Sequence, residues 1–198
     1  MTTRGKPPEK EEYAWILDYL PYGSPDDKRP SYQKKPLVQA VGENYFVLME
    51  LVPKEEKIPD IQSKVYIGDG DRDLVDHVKQ RIPYQSLSPG AQLELPYILE
   101  TTVKHHEEKF IKFFNDAHPI TNRLHMLDLL PGIGKKLMWN IIDARKKGAF
   151  TSFEDLSERA EGVHSPIKIV VNRIIEELKD ENIKYRLFTI PPRRQRSK

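Results

Sequence analysis

Gly132 and Gly134 flank a single apolar residue, Ile133, within the stretch LLPGIGKKLMWNIIDARKKGAF from Leu129 to Phe150, and Lys135 and Lys136 follow at once. Two glycines beside one apolar residue where a helix should begin leave successive backbone N–H groups bare at the positive end of the helix dipole. A nest of that kind takes an anion, and on nucleic acid the anion is a backbone phosphate. Ile133 is expected to point inward and anchor the turn, while Lys135 and Lys136 add charge beside the phosphate. Gly148 is expected to stop the helix, at the position where a left-handed residue costs least.

An offset of thirty residues sets Gly162, Val163, His164, Ile167 and Val171 on Gly132, Ile133, Gly134, Leu137 and Ile141, which reads as a degenerate second copy. In the first copy Leu124 and Leu127 are expected on one helix and Leu137, Met138, Ile141 and Ile142 on the buried stripe of the next. In the second, Ser152 with Asp155 reads as a capping box. Ser165-Pro166 then starts a last helix with the stripe Ile167, Val170, Val171, Ile174, Ile175 and Leu178. Gly162, His164, Lys168 and Arg145 are secondary contact candidates, and a histidine at the second glycine position points to packing as the main work of that copy.

Other chemistry fits less well. Gly134-Lys135 is not a nucleotide-hydrolase phosphate loop, because Leu129 stands where its first glycine belongs and Lys136 where Ser or Thr would bind magnesium. Asp69-Gly70-Asp71-Arg72-Asp73 lacks the distal glutamate of a calcium loop and reads as a turn. His105-His106-Glu107-Glu108 falls on a helix, where adjacent histidines face different ways, so a solvated face is expected rather than a metal site. His118 and His125 have no evident carboxylate partner and are expected to be structural or cap-related. No metal and no cofactor is implied.

Zero cysteines exclude a disulfide framework, an iron–sulfur cluster and a thiolate zinc site. The 198 residues, 38% hydrophobic and 31% charged, suit a globular chain with one large core or two small ones. Apolar runs such as Ile169 to Val171 fall far short of the roughly 18 residues of a membrane span, and no apolar secretory core opens the chain, so the cytoplasm is the expected location. The net charge of +2 conceals an asymmetry: Met1 to His118 carries 16 Lys+Arg against 20 Asp+Glu, whereas Pro119 to Lys198 carries 16 against 10. The basic half holds the glycine turn, as a polyanionic partner would require.

The elements that position this turn differ in period along the chain. The runs YAWILDYL, PLVQAV, YFVLMEL and KVYIG between Tyr13 and about Tyr84 are short, β-branched or aromatic, with Gly42-Glu43-Asn44 as a three-residue hairpin connection. DLVDHVKQRI, residues 73–82, suits helix or strand; a strand is preferred, because a fifth one would close a barrel and hide its edges. After Ser88-Pro89 the period becomes helical, with Pro96 able to sit near the start. The expected organisation is a polar tail (1–12), a small antiparallel OB-like β-barrel (13–88), a long connecting helix (89–118), a tandem hairpin domain of helices (119–190) and a basic tail (191–198): an α+β chain overall.

Leu127 to Leu156, including the Arg-x-x-Gly-x-Phe exit and the acidic Asp-Leu after it, resembles a helix-hairpin-helix nucleic-acid-binding motif. The whole chain resembles an archaeal family, domain of unknown function 655, predicted to bind nucleic acid. The resemblance implies a grip on backbone phosphates without base reading, so preference must come from elsewhere. On an OB-like surface Lys35, Tyr45, Phe46, Lys64 and Tyr66 are candidate stacking and charge contacts, and the tail PPRRQRSK is a candidate arm. Glycosylases with such hairpins carry a catalytic aspartate downstream, whereas GVHSPIKIVVNRII holds no acid, so no catalysis is expected. The expected role is non-catalytic binding of nucleic acid, RNA slightly ahead of DNA. The alternative is a protein-interaction module in an RNA- or DNA-processing complex, with a repair glycosylase or nuclease less favoured.

Overall fold

The computed structural model describes residues 10–24 and 29–189, so the basic tail 191–198 and most of the polar tail 1–12 lie outside the described residues. Four short apolar runs become β1 (Tyr13–Leu20), β2 (Leu37–Gly42), β3 (Leu48–Pro53) and β4 (Lys64–Tyr66), and the more polar segment after them becomes β5 (Val75–Arg81). They form one antiparallel sheet in the order β4-β1-β2-β3-β5. Ala14, Ile16, Val38, Ala40, Met49, Leu51, Val65 and Val75 build one core on it. A register shift between Ile16 and Asp18 adds Leu17 to β1, and the bulge lets two consecutive residues, Ile16 and Leu17, both be fully buried.

Residues 73–82 do supply a fifth strand, but among the described residues β5 pairs with β3 alone. The sheet therefore ends at β4 and β5 instead of closing through a ladder. The expected three-residue connection after β2 is also longer, because β3 begins only at Leu48. The buried carboxylate of Glu11 takes the place of a strand partner there, accepting the N–H groups of Asn44 and Tyr45 at 2.8 Å each. It leaves no room for a side chain at Gly42.

The single long helix expected over 89–118 is two helices, α1 (Pro89–His105) and α2 (Glu107–Asp116), with His106 off the helical conformation at φ −105° and ψ 35°. Lys104 and His105 end the first and Glu107 and Glu108 open the second, which is the charge order that favours a helix stop followed by a helix start. Pro96 lies inside α1 rather than at its start, and Ser88 caps α1 by accepting the Ala91 N–H at 3.0 Å.

The chain divides into two compact units inside α1, between Glu94 and Leu95. The second unit is not all helix. A small hairpin of β6 (Pro119–Thr121) and β7 (Leu124–His125) leads into a 3-10 turn, Met126–Leu129, so Leu124 and Leu127 share no helix. Then come α3 (Lys135–Lys146), α4 (Phe153–Arg159) and α5 (Pro166–Lys179). Met138, Ile141 and Ala144 are the buried residues of α3, with Leu137 and Ile142 half-buried. On α5 the apolar stripe Val170, Val171 and Ile174 is buried together with two charged residues, Arg173 and Glu177. No described helix is long and apolar enough to cross a membrane.

Candidate nucleic-acid interface

Gly132 takes φ +82°, the left-handed conformation that lets the chain reverse before α3. Ile133 then turns inward and is buried, with its N–H committed to the Leu130 carbonyl at 3.1 Å. Gly134 is the N-cap of α3 with φ −82° and ψ 175°, and the first helical bond runs from Met138 N–H to Gly134 O at 2.9 Å. The N–H groups of Gly132, Gly134, Lys135, Lys136 and Leu137 have no acceptor among the described residues. Among the described residues, the adjoining ones apart, no atom lies within 4 Å of where a side chain would start at Gly132 or Gly134, so the space beside the two glycines is open. The arrangement is a set of outward donors at the positive end of a helix, minus the middle amide of the turn.

Lys135 and Lys136 flank these donors differently. Lys135 Nζ lies 2.7 Å from Asp128 Oδ2 and is held beside the turn, whereas Lys136 is exposed and has no carboxylate partner among the described residues. Burial works against the charge on Asp128, but hydrogen bonds from Lys135 and from the His125 backbone outweigh it and hold the carboxyl below its ordinary range. Asp128 also closes a capping box with His125, whose Nδ1 accepts the Leu127 N–H at 3.1 Å while the His125 N–H reaches Asp128 at 2.9 Å. His125 is thus a cap, and its carboxylate partner is three residues on.

Burial, and then the charge of Arg145, lower the His125 pKa below the ordinary 6.5, with Asp128 pulling the other way. The neutral ring is the folded form, as its accepting Nδ1 requires. A base whose proton affinity drops on folding adds stability above pH 6.5 that is lost as the pH falls from 6.5 through the lowered value. Melting temperatures taken from about pH 7.5 down to about pH 5 should fall, and less steeply in His125→Asn, which keeps a capping side chain without the titration. Parallel curves for the two proteins would exclude His125 as the cause.

The second turn repeats the first with one extra residue. Gly162 takes φ +90°, and buried Val163 donates to Ala160 O at 3.1 Å as Ile133 does to Leu130. The N-cap of α5, however, is Ser165 rather than His164, so the offset of thirty becomes thirty-one at the helix start. His164 is an exposed loop residue there, and Lys168 is exposed in the first turn of α5. Pro166 at the first helical position brings no N–H, so this turn offers fewer donors than the first. Leu137 lies 3.5 Å from where a side chain would start at Gly162, and Asn140 Nδ2 donates to Glu161 O at 2.8 Å, which packs the second turn against α3.

A model of the family described as proteins of unknown function, DUF655, matches residues 10–190. The chain belongs to the DUF655 family. It is 47% identical over 186 residues to an uncharacterized protein of Methanocaldococcus jannaschii, MJ0038, covering 93% of this chain and 82% of that one. The crystal structure of Af1531, a DUF655 protein from Archaeoglobus fulgidus, matches with a TM-score of 0.85 and 49% identity over 91% of this chain and all of that one. The archaeal family that the whole chain resembles is therefore the one found.

In this DUF655 chain the remaining candidates are scattered. Arg145 faces inward: its Nη1 donates to the carbonyls of Phe114 and Asn115 at 2.9 and 3.1 Å, near the end of α2. Burial lowers its pKa, with Asp116 opposing. Phe46, at φ +56°, is buried in the sheet unit and offers no ring face to a base. Tyr45 is half-buried against the same core. Lys64 is bonded to the buried carboxylate of Glu43 at 2.8 Å and sits 4.5 Å over the Tyr13 ring. Tyr66 packs edge-on to Tyr13 at 5.3 Å and accepts the Gly70 N–H, so Lys64 and Tyr66 come together around Tyr13, a residue the sequence reading passed over. Lys35 is exposed beside Tyr19, Lys54 and Asp76, apart from that group. Ser152 Oγ accepts the Asp155 N–H at 3.1 Å, one half of the expected capping box, while the Asp155 carboxylate accepts the Thr151 N–H and pairs with Arg159 at 2.9 Å, so the box is not closed. Arg159 in turn donates to the carbonyls of Ala144, Gly148 and Ala149 and lies over the Phe150 ring, locking the exit of α3. Among the described residues no three His, Asp or Glu side chains converge as a metal would need.

Proposed function

We propose that this chain binds the sugar-phosphate backbone of nucleic acid, RNA ahead of DNA and without catalysis, at the turn from Gly132 to Lys136. In this reading the turn is the first of two helix-hairpin-helix motifs, and the β unit is an OB-like barrel opened between β4 and β5 that offers a second surface. The strand order and the paired glycine turns support those fold names.

One observation carries the reading. The fold makes no demand for glycine at position 134, where φ is −82° and the surrounding space is empty. A capping Ser or Asp there would strengthen α3 by a few tenths of a kcal/mol. What a bare N-cap provides is room for something outside the chain to reach the amides. Lys136 and the surplus of 16 Lys+Arg over 10 Asp+Glu from Pro119 onward suit a polyanion in that place.

The rival is a protein-interaction module presenting its helix faces, and salt separates the two. Affinity for an RNA oligonucleotide should fall on the order of a thousandfold between about 50 and about 200 mM salt if about six phosphates are neutralised. A flat salt dependence would remove the phosphate grip and favour the protein partner.

A further inference from the structure

Trp139 is 54% exposed on α3. Among the described residues its ring meets no other ring or cation, and its indole N–H has no acceptor. An indole left half in water forfeits much of the apolar burial that usually retains tryptophan in a fold. Its position along the helix is specific. Side chains on a helix lean toward the N-terminus, and the spacing of four and three residues sets Trp139 on the same face as Lys135 and Lys136, toward the open end of α3. The other sides of α3 are taken: Met138, Ile141 and Ala144 are buried, and Leu137 and Asn140 adjoin the second turn. Among the described residues the outward face therefore presents open amides, a lysine without a carboxylate partner and one flat aromatic surface.

We propose that Trp139 stacks on an unpaired base one step from the phosphate held at Gly134, so that the ligand class is nucleic acid with unpaired bases, as in single strands, loops and gaps. The inference rests on the backbone grip proposed above and adds what that grip lacks. A phosphate contact alone does not tell a single strand from a duplex, whereas a base within a continuous duplex has both faces covered by its neighbours. Stacking on one aromatic tolerates every base, so the preference is for exposure of the base rather than for sequence.

The chain has two tryptophans, Trp15 and Trp139, so Trp15→Phe makes Trp139 the sole indole reporter. Among the described residues Trp15 Nε1 is buried without a partner, and the change removes that donor. Binding is measured to an oligouridine of about twelve nucleotides and to a blunt RNA duplex of about the same length at low salt. Trp139→Ala should weaken the single strand about tenfold more than the duplex, Trp139→Phe should recover most of that difference, and the single strand should quench Trp139 emission. Equal losses on both ligands, a loss on neither, or unquenched emission would overturn the inference. Gly134→Asp separates it from the grip. If Gly134→Asp weakens both ligands while Trp139→Ala weakens neither, only the stacking fails; if Gly134→Asp also weakens neither, the grip itself fails.

Discussion

Gly134→Asp is expected to bind RNA at least tenfold more weakly than the unaltered chain and to melt at the same temperature or slightly above it. The two halves of this result have one cause. Gly134 already has the extended backbone of an N-cap, and among the described residues none beyond its two neighbours comes within 4 Å of the new side chain's first carbon, so aspartate enters without strain. Its carboxylate accepts from the free amides of Lys136 or Leu137 and meets the positive helix end, a gain of a few tenths to about 1 kcal/mol. The same carboxylate occupies the donors meant for the ligand and repels a phosphate. Hydrogen bonds to charged groups contribute roughly 1.5–3 kcal/mol each, so the loss of one is tenfold or more in affinity.

Gly132 is a poorer probe, since φ +82° makes any side chain there cost about 1–2 kcal/mol of stability and confounds folding with binding. Melting curves and fluorescence anisotropy on Gly134→Asp provide both readings from one preparation. Unchanged binding would sink the amide grip, and a lowered melting temperature would sink the account of Gly134 as an unstrained cap.

What could be read from the sequence follows how local each cause is. The turn at Gly132 and Gly134 is fixed within four residues, by a left-handed glycine and an inward apolar side chain; the inward Ile133 is as expected, and the positive φ of Gly132 is a detail the residue pattern did not specify. The repeat was visible for the same reason, since Gly162 and Val163 reproduce that geometry. The one-residue slip at Ser165 was not, because a cap is chosen by where the helix can start against its neighbours and not by alignment to another copy. Arg145 and Arg159 both lie near the exit of α3, and composition cannot say which one turns inward. That is decided by α2, whose end receives Arg145, and by Asp155, which aims Arg159 at the carbonyls of Ala144 and Gly148. Phe46 was misassigned because Glu11, more than thirty residues earlier in the chain, reshapes its loop and sends the ring inside. A periodic apolar stripe on α5 likewise gave no sign that a carboxylate sits within it.

That carboxylate belongs to Glu177, and Glu177→Gln is expected to be the most destabilising single change of similar size in the second unit. The side chain is fully buried and accepts five donors: Arg173 Nε and the Leu187 N–H on one oxygen, and the Phe188 N–H, the Thr189 N–H and the Thr189 hydroxyl on the other, at 2.7 to 3.2 Å. Arg173 is buried beside it and also donates to Tyr185 O. The pair thus fastens the segment after α5, and Phe188 from that segment packs edge-on against Phe110 and Phe113 of α2. Glutamine presents an NH2 where one oxygen now accepts, so at least two donors lose their acceptor, and Arg173 keeps only the half-exposed carboxylate of Glu176, 3.5 Å away, as a counter-charge. Breaking a buried pair in this way costs about 3–5 kcal/mol, which for a chain of this size lowers the melting temperature by roughly 10 °C. Glu181→Gln removes the same charge from an exposed position and should shift the midpoint by no more than about 2 °C. Amide exchange at Leu187, Phe188 and Thr189 should quicken in Glu177→Gln before the rest of the unit does. If those amides stay protected and the two variants melt together, the carboxylate is not what holds the segment, and the aromatic packing of Phe188 must do it alone.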